Sequence, residues 1–137
     1  ITADMKEFMK DFYAGYADME ENAKEIRKVF DDTGYLIDTH TGVAAAVYEQ
    51  YKAKTGDTTK TVIASTASPY KFSRSVMEAV FGKKEDADEF ALIDEMERIS
   101  GVKIPQAIEE IRDAKILHNR QCKPEEMEET VKQTFSK

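Results

Sequence analysis

Two short β-rich apolar runs, Tyr35-Leu36-Ile37 and Thr61-Val62-Ile63-Ala64, stand on either side of a single helical segment. In that segment Asp38 or Thr39 can act as N-cap. Val43, Val47 and Tyr51 form one face, Glu49, Lys52 and Lys54 lie on the other, and Gly56 closes it. Apolar runs bounded by polar residues are expected of strands covered on both faces of a parallel sheet. Strand, helix, strand then reads as a right-handed βαβ unit over about 35–64, and the predicted fold class is α/β.

The flanking segments read as helices. Met5, Phe8, Met9, Phe12, Tyr13 and Tyr16 recur at helical spacing near the start, and a second helix runs from the probable cap Asp18 to Gly34. After the second run, Pro69 opens a helix carrying Phe72, Val76, Met77, Val80 and Phe81. Three more are expected in a helical region over about 86–137: Asp86 to Ser100, one opened by Pro105 and one opened by Pro124. Lys83-Lys84-Glu85-Asp86 reads as a solvated linker, and Ala114-Lys115-Ile116-Leu117 as a weak third strand.

Two strands cannot cover each other on both faces, and the chain begins at Ile1 within an amphipathic stripe. A piece of a larger protein that begins mid-chain is therefore expected, with a severed sheet edge through which it can self-associate. The amino-terminal part of that parent chain is its expected partner.

Charge narrows the partners further. With 27 acidic against 20 basic residues the net charge is -7, which repels nucleic-acid phosphates and anionic lipid. No nucleic acid and no membrane are expected as partners. A single cysteine, Cys122, cannot form an internal disulfide, which fits a reducing compartment and a cytoplasmic location.

In parallel sheets ligands bind past the carboxyl ends of strands, so two corners matter: Asp38-Thr39-His40-Thr41 and Ser65-Thr66-Ala67-Ser68-Pro69. The first can handle protons or orient a phosphate. The second offers hydroxyls and outward N–H groups suited to a ring nitrogen or an anion. Each also has a plain reading as a helix cap. A lone Asp-x-His gives no triad and no metal site, and His118 and Cys122 receive no role.

Together, Asp38-Thr39-His40-Thr41-Gly42-Val43 and Val62-Ile63-Ala64-Ser65-Thr66-Ala67-Ser68-Pro69-Tyr70-Lys71-Phe72 closely resemble two blocks near the carboxyl end of threonine synthase. The resemblance extends to the Tyr48-to-Gly56 helix end and, more loosely, to Ile104-Pro105 and Glu126-Met127. Many members carry His where this chain has Ser68.

The resemblance implies a pyridoxal-phosphate lyase of the tryptophan-synthase-like fold (fold type II), a Rossmann-like three-layer domain. Its reaction converts O-phosphohomoserine and water into threonine and phosphate. It also implies that Thr66, with Ser65 as neighbouring candidate, faces the cofactor's pyridine nitrogen. Asp38, His40 and Thr41 would lie on the substrate side at the mouth of the site, near the substrate's phosphate. Lys71 is not the Schiff-base lysine, which in the family lies far upstream, so the chain alone is expected to be inactive and to bind the cofactor weakly. Alternatives are another fold-type II enzyme, such as a threonine dehydratase-like or cysteine synthase-like protein, and a free-standing acidic α/β interaction module.

Overall fold

The structure, a computed structural model, describes residues 1–82 and 86–136. The expected linker residues 83–85 lie outside them. The chain folds into helices α1 (Ala3–Phe8), α2 (Met19–Thr33), α3 (Thr39–Thr55), α4 (Ser73–Phe81), α5 (Glu89–Ser100), α6 (Gln106–Arg112) and α7 (Met127–Phe135). Short 3-10 turns at Pro69–Phe72 and Pro124–Glu126 lead into α4 and α7.

Local chemistry sets the helix starts. Asp18 and Glu21 form a capping box, in which Asp18 Oδ1 accepts from the Glu21 N–H at 2.8 Å and Glu21 Oε2 accepts from the Asp18 N–H at 3.0 Å. Such a cap contributes about 1 kcal/mol. Asp88 caps α5 by accepting from the Phe90 N–H. After α3, Gly56 takes φ of 70°, a left-handed turn that a side chain would oppose. Beyond it the Tyr51 hydroxyl donates to Asp57 Oδ2 at 2.6 Å.

Packing centres on α2, α4 and α5. Ile26 of α2, Val76, Met77 and Val80 of α4, and Leu92, Ile93 and Met96 of α5 are buried in one cluster with Leu36, Ile37 and Tyr70. Each side chain of this size stabilises the fold by roughly 1.5–3 kcal/mol relative to exposure. Two polar ties reinforce the packing. Arg27 Nη1 donates to the Val80 carbonyl at the end of α4, and the Tyr70 hydroxyl donates to the Val102 carbonyl just past α5.

The α/β expectation is overturned, since no strand is found among the described residues. Residues 35–38 form a linker between α2 and α3, and Leu36 and Ile37 are buried because they fill the helical core. An apolar run of this length has the same composition whether it serves as strand or buried linker. The second run is not covered on both faces: Val62 is 95% exposed and Ile63 half-buried. Ile116 and Leu117 of the weak third run are also exposed. With no ladder partner, these segments are irregular, and the βαβ unit, the Rossmann-like layering and a pairing sheet edge have no counterpart here.

The amino-terminal stripe also departs from expectation. Only Ala3–Phe8 is helical, and Phe8, Phe12 and Tyr16 are exposed. Tyr13 still reaches α3, edge-on to Tyr51 at 5.2 Å between ring centroids, and Gln50 Nε2 donates to the Tyr16 carbonyl at 2.9 Å. None of the helices of the described residues is long and apolar enough to cross a membrane.

Candidate functional site

The two polar corners meet, although no sheet brings them together. Asp38 is the N-cap of α3, and its side chain is wholly buried. Oδ1 accepts from the His40 N–H at 2.8 Å and the Thr41 N–H at 3.4 Å. On the other oxygen, Oδ2, the Thr41 hydroxyl donates, and the Ser65 hydroxyl lies 3.5 Å away. Thr41 Oγ1 and Ser65 Oγ are 2.9 Å apart. A 24-residue step in sequence is thus closed by hydroxyls gathered on one carboxylate.

Burying a carboxylate is unfavourable unless its lone pairs are satisfied. Here burial pushes the Asp38 carboxyl up, but hydrogen bonds from the Thr41 hydroxyl and from the His40 and Thr41 backbone outweigh it, with a further bond from the His40 side chain. The net direction is below the ordinary value, so Asp38 is ionised at neutral pH.

His40 is placed differently. Its side chain is 65% exposed, its Nδ1 lies 3.2 Å from Asp38 Oδ1, and its ring tilts against Phe72 at 4.9 Å between centroids. With Asn22, Thr39 and Val43 it lines a recess of 350 Å³. Phe72 was read from sequence only as part of a helical face. No spacing in the sequence signals that it stands beside the first corner.

The second corner divides. Ser65 joins the Asp38 cluster, whereas Thr66, next in chain, is exposed. Ser68 caps the following turn: its Oγ accepts from the Tyr70 N–H at 3.3 Å and its carbonyl from the Lys71 N–H at 3.0 Å. Lys71 is exposed, so nothing desolvates its amine as nucleophilic use requires. His118 and Cys122 are exposed and remote in sequence from both corners. Among the described residues no group of three or more His, Cys, Asp or Glu is placed to hold a metal ion.

Residues 41–133 match the family model described as threonine synthase, C-terminal. The chain belongs to that family. The matched segment takes in Thr41, Ser65 and Thr66 and begins just after Asp38 and His40, whose place in the site rests on geometry alone. No curated protein matches the chain.

The family is generally dependent on pyridoxal phosphate. The residues here fit one edge of that group. The exposed neutral hydroxyl of Thr66 suits a ring nitrogen, with Ser65 beside it held in the Asp38 cluster, while the glycines stand singly along the sequence and offer no Gly-rich cup for a phosphate.

Proposed function

We propose that this chain is the carboxyl-terminal part of a threonine synthase and forms one wall of its active site. The reaction is conversion of O-phosphohomoserine and water into threonine and phosphate. The observation carrying this reading is the coincidence of the family match with the hydroxyl cluster: Thr41, Ser65 and Thr66 lie in the matched segment, and two of them touch across the two corners.

Bound pyridoxal phosphate would supply an electron sink to the substrate. In this reading Thr66 offers its neutral hydroxyl to the ring nitrogen and leaves that nitrogen unprotonated. Asp38 holds Thr41 and His40 in place, and His40 supplies an exposed imidazole to the substrate side. The lysine that carries the cofactor belongs to an amino-terminal part of the enzyme, which is also this chain's partner. Cytoplasmic residence fits the exposed lone thiol of Cys122.

Phosphate release from O-phosphohomoserine by the enzyme containing this sequence tests the reading. Release with threonine as co-product supports it. Deamination of threonine without such release would assign the chain to a dehydratase-like relative. Titrated alone with pyridoxal phosphate, the chain should give no saturable visible absorption band.

A further inference from the structure

A hydroxyl has one hydrogen, and the cluster around Asp38 leaves little choice about where each one points. An ionised carboxylate only accepts. The Thr41 oxygen is the nearest neighbour of Asp38 Oδ2, and two oxygens so close without a hydrogen between them would set lone pairs against each other. The Thr41 hydrogen therefore lies on the Asp38 side. Ser65 Oγ, 2.9 Å from Thr41 Oγ1 and 3.5 Å from Asp38 Oδ2, must then send its own hydrogen inward, to Thr41 or to the carboxylate. What Ser65 turns outward is lone pair.

The same argument holds for His40. Its Nδ1 lies 3.2 Å from Asp38 Oδ1, so Nδ1 carries the hydrogen and, in the neutral ring, Nε2 is the bare nitrogen. Two of the N–H groups that a helix start usually offers, those of His40 and Thr41, go to the Asp38 side chain and are not left for an anion. The Gly42 N–H makes the ordinary first bond of α3, to the Asp38 carbonyl at 2.8 Å.

We propose that Asp38 is a positioning residue that makes this corner a hydrogen-bond-accepting surface. Ser65 Oγ and His40 Nε2 meet the ligand as acceptors, and they recognise a donor, an ammonium, a hydroxyl or an attacking water, rather than a phosphate. The identity of the ligand rests on the function proposed above; the polarity of the cluster does not. It also separates the two hydroxyls of the second corner, since Ser65 cannot donate to a bare ring nitrogen while its hydrogen is held inward, which leaves that role to Thr66.

The test is nuclear magnetic resonance on the chain labelled at aspartate, threonine and histidine. The expected result is an Asp38 carboxyl carbon that is ionised at neutral pH, a Thr41 hydroxyl proton protected from exchange, and a His40 ring in the Nδ1-protonated tautomer. Inorganic phosphate added at neutral pH should leave the His40 and Thr41 amides unmoved. A protonated Asp38 at neutral pH, an Nε2-protonated His40, or saturable phosphate shifts at those amides would overturn the proposal. Thr41→Val should raise the Asp38 titration and Thr41→Ser should restore it, which a merely structural role would not do. These readings on the unaltered chain stand even where a variant fails to fold. If they hold while Thr66→Val leaves turnover in the full enzyme unchanged, the cofactor reading falls and the accepting surface remains.

Discussion

A methyl group placed on Gly42 would meet Ile26 Cγ1 at 2.7 Å, closer than real Cβ atoms come to any neighbour. Asn22, whose side-chain oxygen is buried without a hydrogen-bond partner among the described residues, crowds the same spot. Gly42 is thus the position where α2 crosses α3, and the crossing fixes the helix that carries Asp38, His40 and Thr41.

Gly42→Ala should destabilise the protein by about 1–3 kcal/mol, the usual range for overpacking. Helix propensity alone favours alanine by roughly 1 kcal/mol, so the sign is informative. Urea unfolding measures it; a stabilised variant would show that the helices can part without cost. Adding Asn22→Ala should recover part of the loss, because the two positions touch.

Acid should loosen the first corner. The folded Asp38 carboxyl titrates below the unfolded value of about 3.9, so its stabilising contribution is complete above that value and disappears as pH falls through the lower, folded one. Thr41→Val removes one of the bonds that lower it and should move the loss to higher pH. Unfolding followed against pH in the two proteins gives the comparison, and coincident curves would deny Thr41 this role.

Asp57 provides a separate check on local electrostatics. Hydrogen bonds from Thr59 and from the Tyr51 hydroxyl pull its carboxyl down to about 2. Tyr51→Phe should raise it, yet leave it below about 3.9 because the Thr59 bonds persist. A carbon-detected titration reads this directly, and no movement would mean that the tyrosine bond is not formed in solution.

Thr66 is exposed, so Thr66→Val should change stability by no more than about 0.5 kcal/mol. In the full enzyme the same change should lower turnover by roughly tenfold or more, as expected when a group that tunes a cofactor is removed. Equal turnover would take Thr66 out of the site.

The helices were legible from sequence because their signals are local. Asp18 with Glu21, Asp38 before Thr41, and Gly56 after Thr55 announce starts and stops within a few residues. The sheet was misread because strand identity is not local. Leu36-Ile37 and Val62-Ile63 have strand composition, but only a neighbouring chain segment decides whether they ladder, fill a helical core or lie open to water. The Asp38 and Ser65 corners were found by composition. Their contact is made by the Thr41 hydroxyl, and neither it nor the tilted contact of Phe72 with His40 leaves a pattern in spacing.

The bond from the Tyr70 hydroxyl to the Val102 carbonyl gears the turn holding Ser68 to the far end of α5. A single aromatic side chain therefore ties the end of α5 to the segment that follows Ser65, although 32 residues separate Tyr70 from Val102 along the chain.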